Sequence, residues 1–91
     1  MKVLETSCTI EQDFLRAVYE LAERNAKRAV AFVDAQLRSG RSEEEADQAC
    51  DFWADRGVLE FTSLGRIALT HLGLRRASRL AERGWRPQMP F

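Results

Sequence analysis

Apolar and polar side chains alternate along the chain with helical spacing over most of its length. Ile10, Phe14, Val18, Leu21 and Ala22 recur on one face, widened by Leu15 and Tyr19. Gln12, Asp13, Arg16, Glu20 and Glu23 fill the other side. Thr9 with Gln12 three positions on has the form of a capping box, so a helix is expected over residues 10–24. Glu20 with Arg24 and Glu23 with Lys27 stand in the favoured i,i+4 order for ion pairs. Asn25 is the residue expected to break or cap that run. A second helix is expected over residues 27–38, with Ala26, Ala29, Val30, Val33 and Leu37 as its stripe. Ser39-Gly40 reads as a turn, with Gly suited to the position after a helix C-terminus.

Ser42 and Glu45 form a second capping box, and Glu43, Glu44 and Glu45 sit in the first turn that follows. The third helix buries Ala46, Ala49, Cys50 and Trp53 and ends at Gly57. Periodicity then changes. Residues 58–61 and 66–70 read as two short strands around the turn residues Thr62, Ser63, Leu64 and Gly65, making a hairpin. A last helix is expected over residues 71–83, with Leu72, Ala77, Leu80 and Ala81 as its apolar face. Gly73 falls in its first turn, where it costs least, and Gly84 ends it. The tail, residues 85–91, carries two prolines and the large apolar side chains Trp85, Met89 and Phe91. The fold class is therefore mainly α with a small β-hairpin: three helices, a hairpin and a C-terminal helix.

Ninety-one residues make one domain, residues 1–91, with its core over about 9–84. A composition 45% hydrophobic and 31% charged is that of a folded globular chain. The longest uncharged stretch, residues 67–74, is eight residues, against about 20 for a membrane span. Glu5 interrupts the N-terminus too early for a secretory signal, which points to the cytoplasm. Cys8 and Cys50 match no metal-ligand spacing and read as small buried hydrophobes. His71 is the only histidine and has no thiol or carboxylate constellation nearby in sequence. With no paired carboxylates, phosphate loop or nucleophile triad, neither an enzyme nor a cofactor or metal site is expected.

Two helices joined by Ser39-Gly40, followed by a Gly and a hairpin, have the order of a helix-turn-helix with a wing. Phe14-Leu15-Arg16-Ala17-Val18-Tyr19-Glu20-Leu21 resembles the first helix of winged-helix repressors, the iron-dependent diphtheria-toxin-repressor type above all. Trp53-Ala54-Asp55-Arg56-Gly57-Val58-Leu59 resembles the end of their recognition helix running into the wing. Arg66-Ile67-Ala68-Leu69-Thr70-His71-Leu72-Gly73 resembles the wing's return strand and the entry to the next helix, a pattern shared with regulators of multiple-antibiotic-resistance type. The resemblance covers residues 9–82. It implies a winged helix-turn-helix transcriptional regulator that binds DNA through its third helix.

Charge cuts across that implication. Formal net charge is zero, with 14 basic and 14 acidic side chains. Residues 41–60 hold two basic side chains against seven acidic, and residues 61–91 hold six basic against one. The segments are thus net −5 and +5, while residues 1–40 balance. The positions that would meet DNA on the third helix are Glu43, Glu44, Asp47, Gln48 and Asp51, of which only Gln48 is a usual base reader. Several carboxylates against a phosphate wall oppose the main source of affinity.

Two functional readings follow. In the first, favoured by the extent of the resemblance, the chain is a small DNA-binding regulator. Lys27, Arg28, Arg41 and Arg66 would contact phosphates and Gln48 would face the bases. In the second it is a protein interaction module, with Glu43, Glu44, Asp47, Asp51 and Phe52 meeting a partner. Phe52 lies beside the core stripe and either contacts that partner or packs under the hairpin. Either charged helix could also be no more than a solvated face. Arg75, Arg76 and Arg79, with Trp85, Met89 and Phe91, are the candidates for self-association as a homodimer. The alternative for the tail is that it folds back on the first helix.

Overall fold

A computed structural model describes the backbone over residues 2–85 and the side chains over residues 10–85. It contains four helices and one small antiparallel sheet: α1 (Lys2–Leu21), β1 (Val30–Ala31), α2 (Phe32–Ser39), α3 (Glu43–Asp55), β2 (Leu59–Phe61), β3 (Arg66–Leu69) and α4 (His71–Glu82). The sheet order is β1-β3-β2, which is compatible with a winged-helix layout. No helix among the described residues is long and apolar enough to cross a membrane.

α1 supplies the centre of the core. Phe14, Leu15, Ala17, Val18 and Ala22 are buried, with Ile10, Tyr19 and Leu21 packed at the edge. The helix starts earlier than the Thr9 capping signal suggests. Residues 2–9 contain no proline or glycine to stop the ladder, so Thr9 lies inside α1 rather than at its cap. The side chains of Thr9 and Cys8 fall outside the described residues. α1 also ends sooner, at Leu21 instead of residue 24. Glu23 and Arg24 turn to positive φ (55° and 64°), and the Asn25 side chain caps the end, donating to the Ala22 and Glu23 carbonyls at 3.2 and 3.1 Å.

The largest departure from the sequence pattern follows. Residues 27–31 are not helical. The Lys27 N–H donates to the Leu69 carbonyl at 2.8 Å, Val30 pairs with Ile67 and Ala31 with Arg66, and the Phe32 N–H donates to the Gly65 carbonyl at 2.9 Å. The expected hairpin is therefore the outer part of a three-stranded sheet. β3 is its central strand, with Ile67, Ala68 and Leu69 all buried. A buried strand must find partners for its backbone polar groups on both edges. β2 satisfies one edge, through Leu59–Leu69 and Phe61–Ile67, and the segment that periodicity assigns to a helix satisfies the other.

Starting α2 at Phe32 also changes which face is inside. Ala35 is buried and Phe32 is half-buried, its ring 5.7 Å from that of Phe14. Val33 and Leu37, expected in the core, are 58% and 70% exposed, and Ala29 is exposed in the preceding segment. Gly40 closes α2 in the left-handed region (φ 74°) that its lack of a Cβ permits.

α3 follows the sequence closely. Ser42 and Glu45 make both bonds of the capping box, at 3.2 and 3.1 Å. Ala46, Ala49, Cys50 and Trp53 are buried. The Trp53 indole N–H donates to the Glu11 carbonyl at 2.8 Å, which satisfies its one polar atom and ties α3 to α1.

α4 is N-capped by Thr70, whose hydroxyl accepts from the Gly73 N–H at 2.9 Å, while the Thr70 N–H donates to the Val58 carbonyl at 3.0 Å. Gly73 is buried because its Cα sits against that same carbonyl. A Cβ built there would collide with the Val58 oxygen. Gly73 is thus required by a close approach between α4 and the base of the hairpin. The contact also rotates the helix: Gly73 and Ala77 face in, Leu74 and Leu80 pack at the core edge, and Leu72, expected on the apolar face, is 40% exposed. After α4 the chain turns back, and Trp85 packs on Tyr19 of α1 at 5.6 Å, edge to face.

Gly73→Ala separates propensity from packing. Intrinsic propensity alone would favour alanine by at most about 1 kcal/mol, the helix-interior value, whereas the collision with Val58 should cost on the order of 1–3 kcal/mol net. Urea denaturation should show a lower midpoint for the variant, and a raised midpoint would contradict the close approach.

Candidate functional site

The basic residues expected to meet phosphate are mostly engaged within the chain. Lys27 is held at the sheet by its backbone bond to Leu69, and its ammonium reaches Glu60 at 2.8 Å. Glu60 is the register partner of buried Ala68, so this pair spans the sheet face that Ala68 belongs to. Arg28 pairs with Glu23 at 2.9 Å. These two contacts replace the expected Glu23–Lys27 pair, because α1 has ended and neither cation continues its helical face. Glu20 likewise pairs with Arg16 and Arg38, each at 3.0 Å, and not with Arg24, which has left the helix. Partial burial pushes the Glu20 carboxyl upward, but the hydrogen bonds from Arg16 and Arg38 outweigh that and hold it below its ordinary pKa.

Arg41 has the best-enclosed ion pair. Its Nε and one Nη donate to the same Asp13 oxygen at 3.1 and 2.8 Å, and its guanidinium lies 4.0 Å from Glu45. The Arg41 side chain is 23% exposed. It therefore joins the turn before α3 to α1 rather than reaching outward. Of the five DNA candidates only Gln48 and Arg66 remain exposed with no ion pair or side-chain hydrogen bond among the described residues.

The outer face of α3 contrasts with this. Glu43, Glu44, Asp47 and Asp51 are all exposed, and none is in an ion pair among the described residues. Phe52 is half-buried. Its ring stands 4.9 Å from Trp53, edge to face, and the Arg56 guanidinium lies 3.6 Å over it. The aromatic thus closes the edge of the core under a cation, with only part of its surface left for a partner.

The third group divides in two. Arg75, Arg76 and Arg79 on α4 are exposed and, among the described residues, form no ion pair; Arg83 at the end of the helix behaves the same way. Trp85 lies in cis on Tyr19, as the folding-back alternative anticipated. Met89 and Phe91 fall outside the described residues.

Sequence reasoning missed the apolar surface on α2 and the hairpin. Val33 and Leu37 point outward, and Phe61 and Leu64 are 64% and 98% exposed. The available signal was Phe32: with Ala35, Gln36 and Ser39 it makes an inward set spaced by three and four, which turns Val33 and Leu37 outward. Two shallow grooves flank α1. One is lined by Asp13, Arg16, Glu20 and Arg38, whose charges pair with one another or with Arg41, and the other by Tyr19, Ser78 and Trp85.

Cys50 is a free thiol in the core. Burial first, and then the nearby Asp51 and Asp47, push its pKa up to about 11.

No family model, curated protein or solved structure matches this chain.

Two outcomes check this geometry. Because the folded thiol titrates above the unfolded one, Cys50 contributes stability that is complete below about pH 8.5 and fades as the pH rises toward about 11. A pH series of denaturation curves should show that alkaline decline, and Cys50→Ala should flatten it. A double-mutant cycle on Asp13 and Arg41 should return a coupling of about 1 kcal/mol, at the top of the range for partly exposed pairs. A coupling near zero would mean that the turn is not tied to α1 through this pair.

Proposed function

We propose that this chain is a small winged-helix regulatory module that works through protein contact, with the outer face of α3 meeting a basic partner. One observation carries this reading. The four exposed side chains Glu43, Glu44, Asp47 and Asp51 are in no ion pair among the described residues, whereas Lys27, Arg28 and Arg41 are paired with Glu60, Glu23 and Asp13.

The order α1-β1-α2-α3-β2-β3-α4 supports the winged-helix assignment, with α3 in the recognition position and the β2–β3 hairpin as the wing. A helix in that position reads DNA when its outward residues donate to bases and neutralise phosphates. Here four of the five outward residues are carboxylates that only accept and carry negative charge, and Gln48 alone can donate. The same fold supports other uses, since function resides in the surface and not in the architecture. A partner segment rich in Arg or Lys matches carboxylates spaced along one helix face, and Arg does so through paired N–H donors. The buried free thiol of Cys50 suits a reducing compartment such as the cytoplasm.

The test sets two labelled probes, mixed-sequence duplex DNA and a poly-arginine peptide, against the full chain at low salt, where electrostatic binding is strongest. Anisotropy should rise with the peptide, and reversing Glu43, Glu44 and Asp47 to Lys should weaken peptide binding by about tenfold or more. DNA binding that is lost on changing Gln48 and Arg66 to Ala would overturn this reading in favour of a DNA-binding regulator.

A further inference from the structure

The solvent face of α4, with the residue that caps its end, presents four guanidiniums that have no ion pair among the described residues. Arg75, Arg76, Arg79 and Arg83 are exposed, and among the described residues none is in an ion pair. At 3.6 residues per turn they fall within an arc of about 100°, along a stripe about 12 Å long. Leu72, 40% exposed, lies within the same arc. Arg75 with Arg79, and Arg79 with Arg83, are like-charge neighbours one turn apart, so the stripe repels itself wherever nothing anionic covers it.

The acidic stripe on α3 has the same form. Arg75, Arg76, Arg79 and Arg83 stand at i, i+1, i+4 and i+8, and so do Glu43, Glu44, Asp47 and Asp51. The two helices therefore present stripes of equal length, equal arc and equal number of charges, opposite in sign. Neither stripe forms an ion pair with the other inside one chain.

We propose that the α4 face is occupied by a second copy of this chain, whose α3 stripe lies along the arginines. This names the partner of the α3 face and rests on the preceding reading of α3 as a protein-contact surface. Because every copy carries both stripes, a two-fold arrangement makes the contact twice and closes as a dimer. Each exposed pair contributes little by itself, so the dimer is salt-sensitive and depends on several pairs acting together.

Sedimentation velocity on the full chain tests the proposal. At low salt the wild type should pass from monomer to dimer as concentration rises, and added salt should reverse this. One variant reverses α3 (E43R, E44R, D47R) and the other reverses α4 (R75E, R76E, R79E), with circular dichroism checking that each folds. Each alone should dimerise at least about tenfold more weakly. Mixed in equal amounts the two should recover a dimer, because the reversed α3 of one meets the reversed α4 of the other in one contact and the unchanged α4 and α3 meet in the second. A wild type that stays monomeric at low salt, or a dimer untouched by both reversals, overturns the proposal. If the monomeric protein still binds poly-arginine through α3, the reading of α3 stands and only the choice of partner fails. If duplex DNA binds the wild type and not the α4 reversal while the protein stays monomeric, the α4 partner is nucleic acid and the self-association proposal is overturned.

Discussion

The structure depends on satisfying β3 along both edges. Ile67 and Leu69 insert into the core beside Phe14, Leu15 and Val18, and Ala68 is buried as well. A strand so enclosed cannot leave its peptide groups to water. β2 follows directly from α3 and covers one edge; residues 27–31 are drawn onto the other. That recruitment shortens α2 to eight residues, starts it beside Gly65 of the hairpin turn, and turns Val33 and Leu37 outward. It also anchors Lys27 against the sheet, where Glu60 takes its charge. One hydrogen-bonding requirement thus decides the sheet, the face of a helix and the fate of a cation expected to reach a ligand.

Charge then separates into two populations. Around α1 and the segments leading into α2 and α3, acids and bases are interleaved and close on one another: Asp13 with Arg41, Glu20 with Arg16 and Arg38, Glu23 with Arg28. Asp13–Arg41 and Glu20–Arg38 join α1 to segments distant in sequence, the other two pairs are local, and each contributes modestly to stability. The outer face of α3 carries only acids as its charged residues, and α4 sets Arg75, Arg76 and Arg79 against a single acid, Glu82; none of these forms an ion pair within its own helix among the described residues. The net charge of zero therefore conceals two unlike surfaces, and the functional proposals follow from the unpaired one.

Much of the fold was legible because its signals are local. The Ser42–Glu45 box, the Gly40 terminus, the Ala46-Ala49-Cys50-Trp53 stripe and the turn over residues 62–65 each depend on contacts within a few residues, and each forms as the sequence suggests. The candidate site was legible on the same ground: a helix with a known buried stripe presents its remaining positions outward, which exposes Glu43, Glu44, Asp47 and Asp51 on α3. β1 was not legible. Two residues carry no periodicity of their own, and Val30 suits a helical stripe as well as a strand. Gly73 lies in the first turn of the last helix as its position suggests, but the need for a glycine there was not legible, because the Val58 carbonyl that requires it lies fifteen positions away in sequence.

By itself the amino-acid sequence determined the helices that cap themselves, the hairpin turn, and the segregation of acid onto α3 and arginine onto α4. These follow from spacing along one chain. Only the tertiary structure decided that Lys27, Arg28 and Arg41 are neutralised, that Val33 and Leu37 face solvent, and that Trp85 lies on Tyr19. Apart from Arg28, whose partner Glu23 is five residues away, each of these depends on which distant group comes within a few ångströms. A carboxylate or a peptide carbonyl brought close by the fold competes with, and here overrides, the preference of the local sequence.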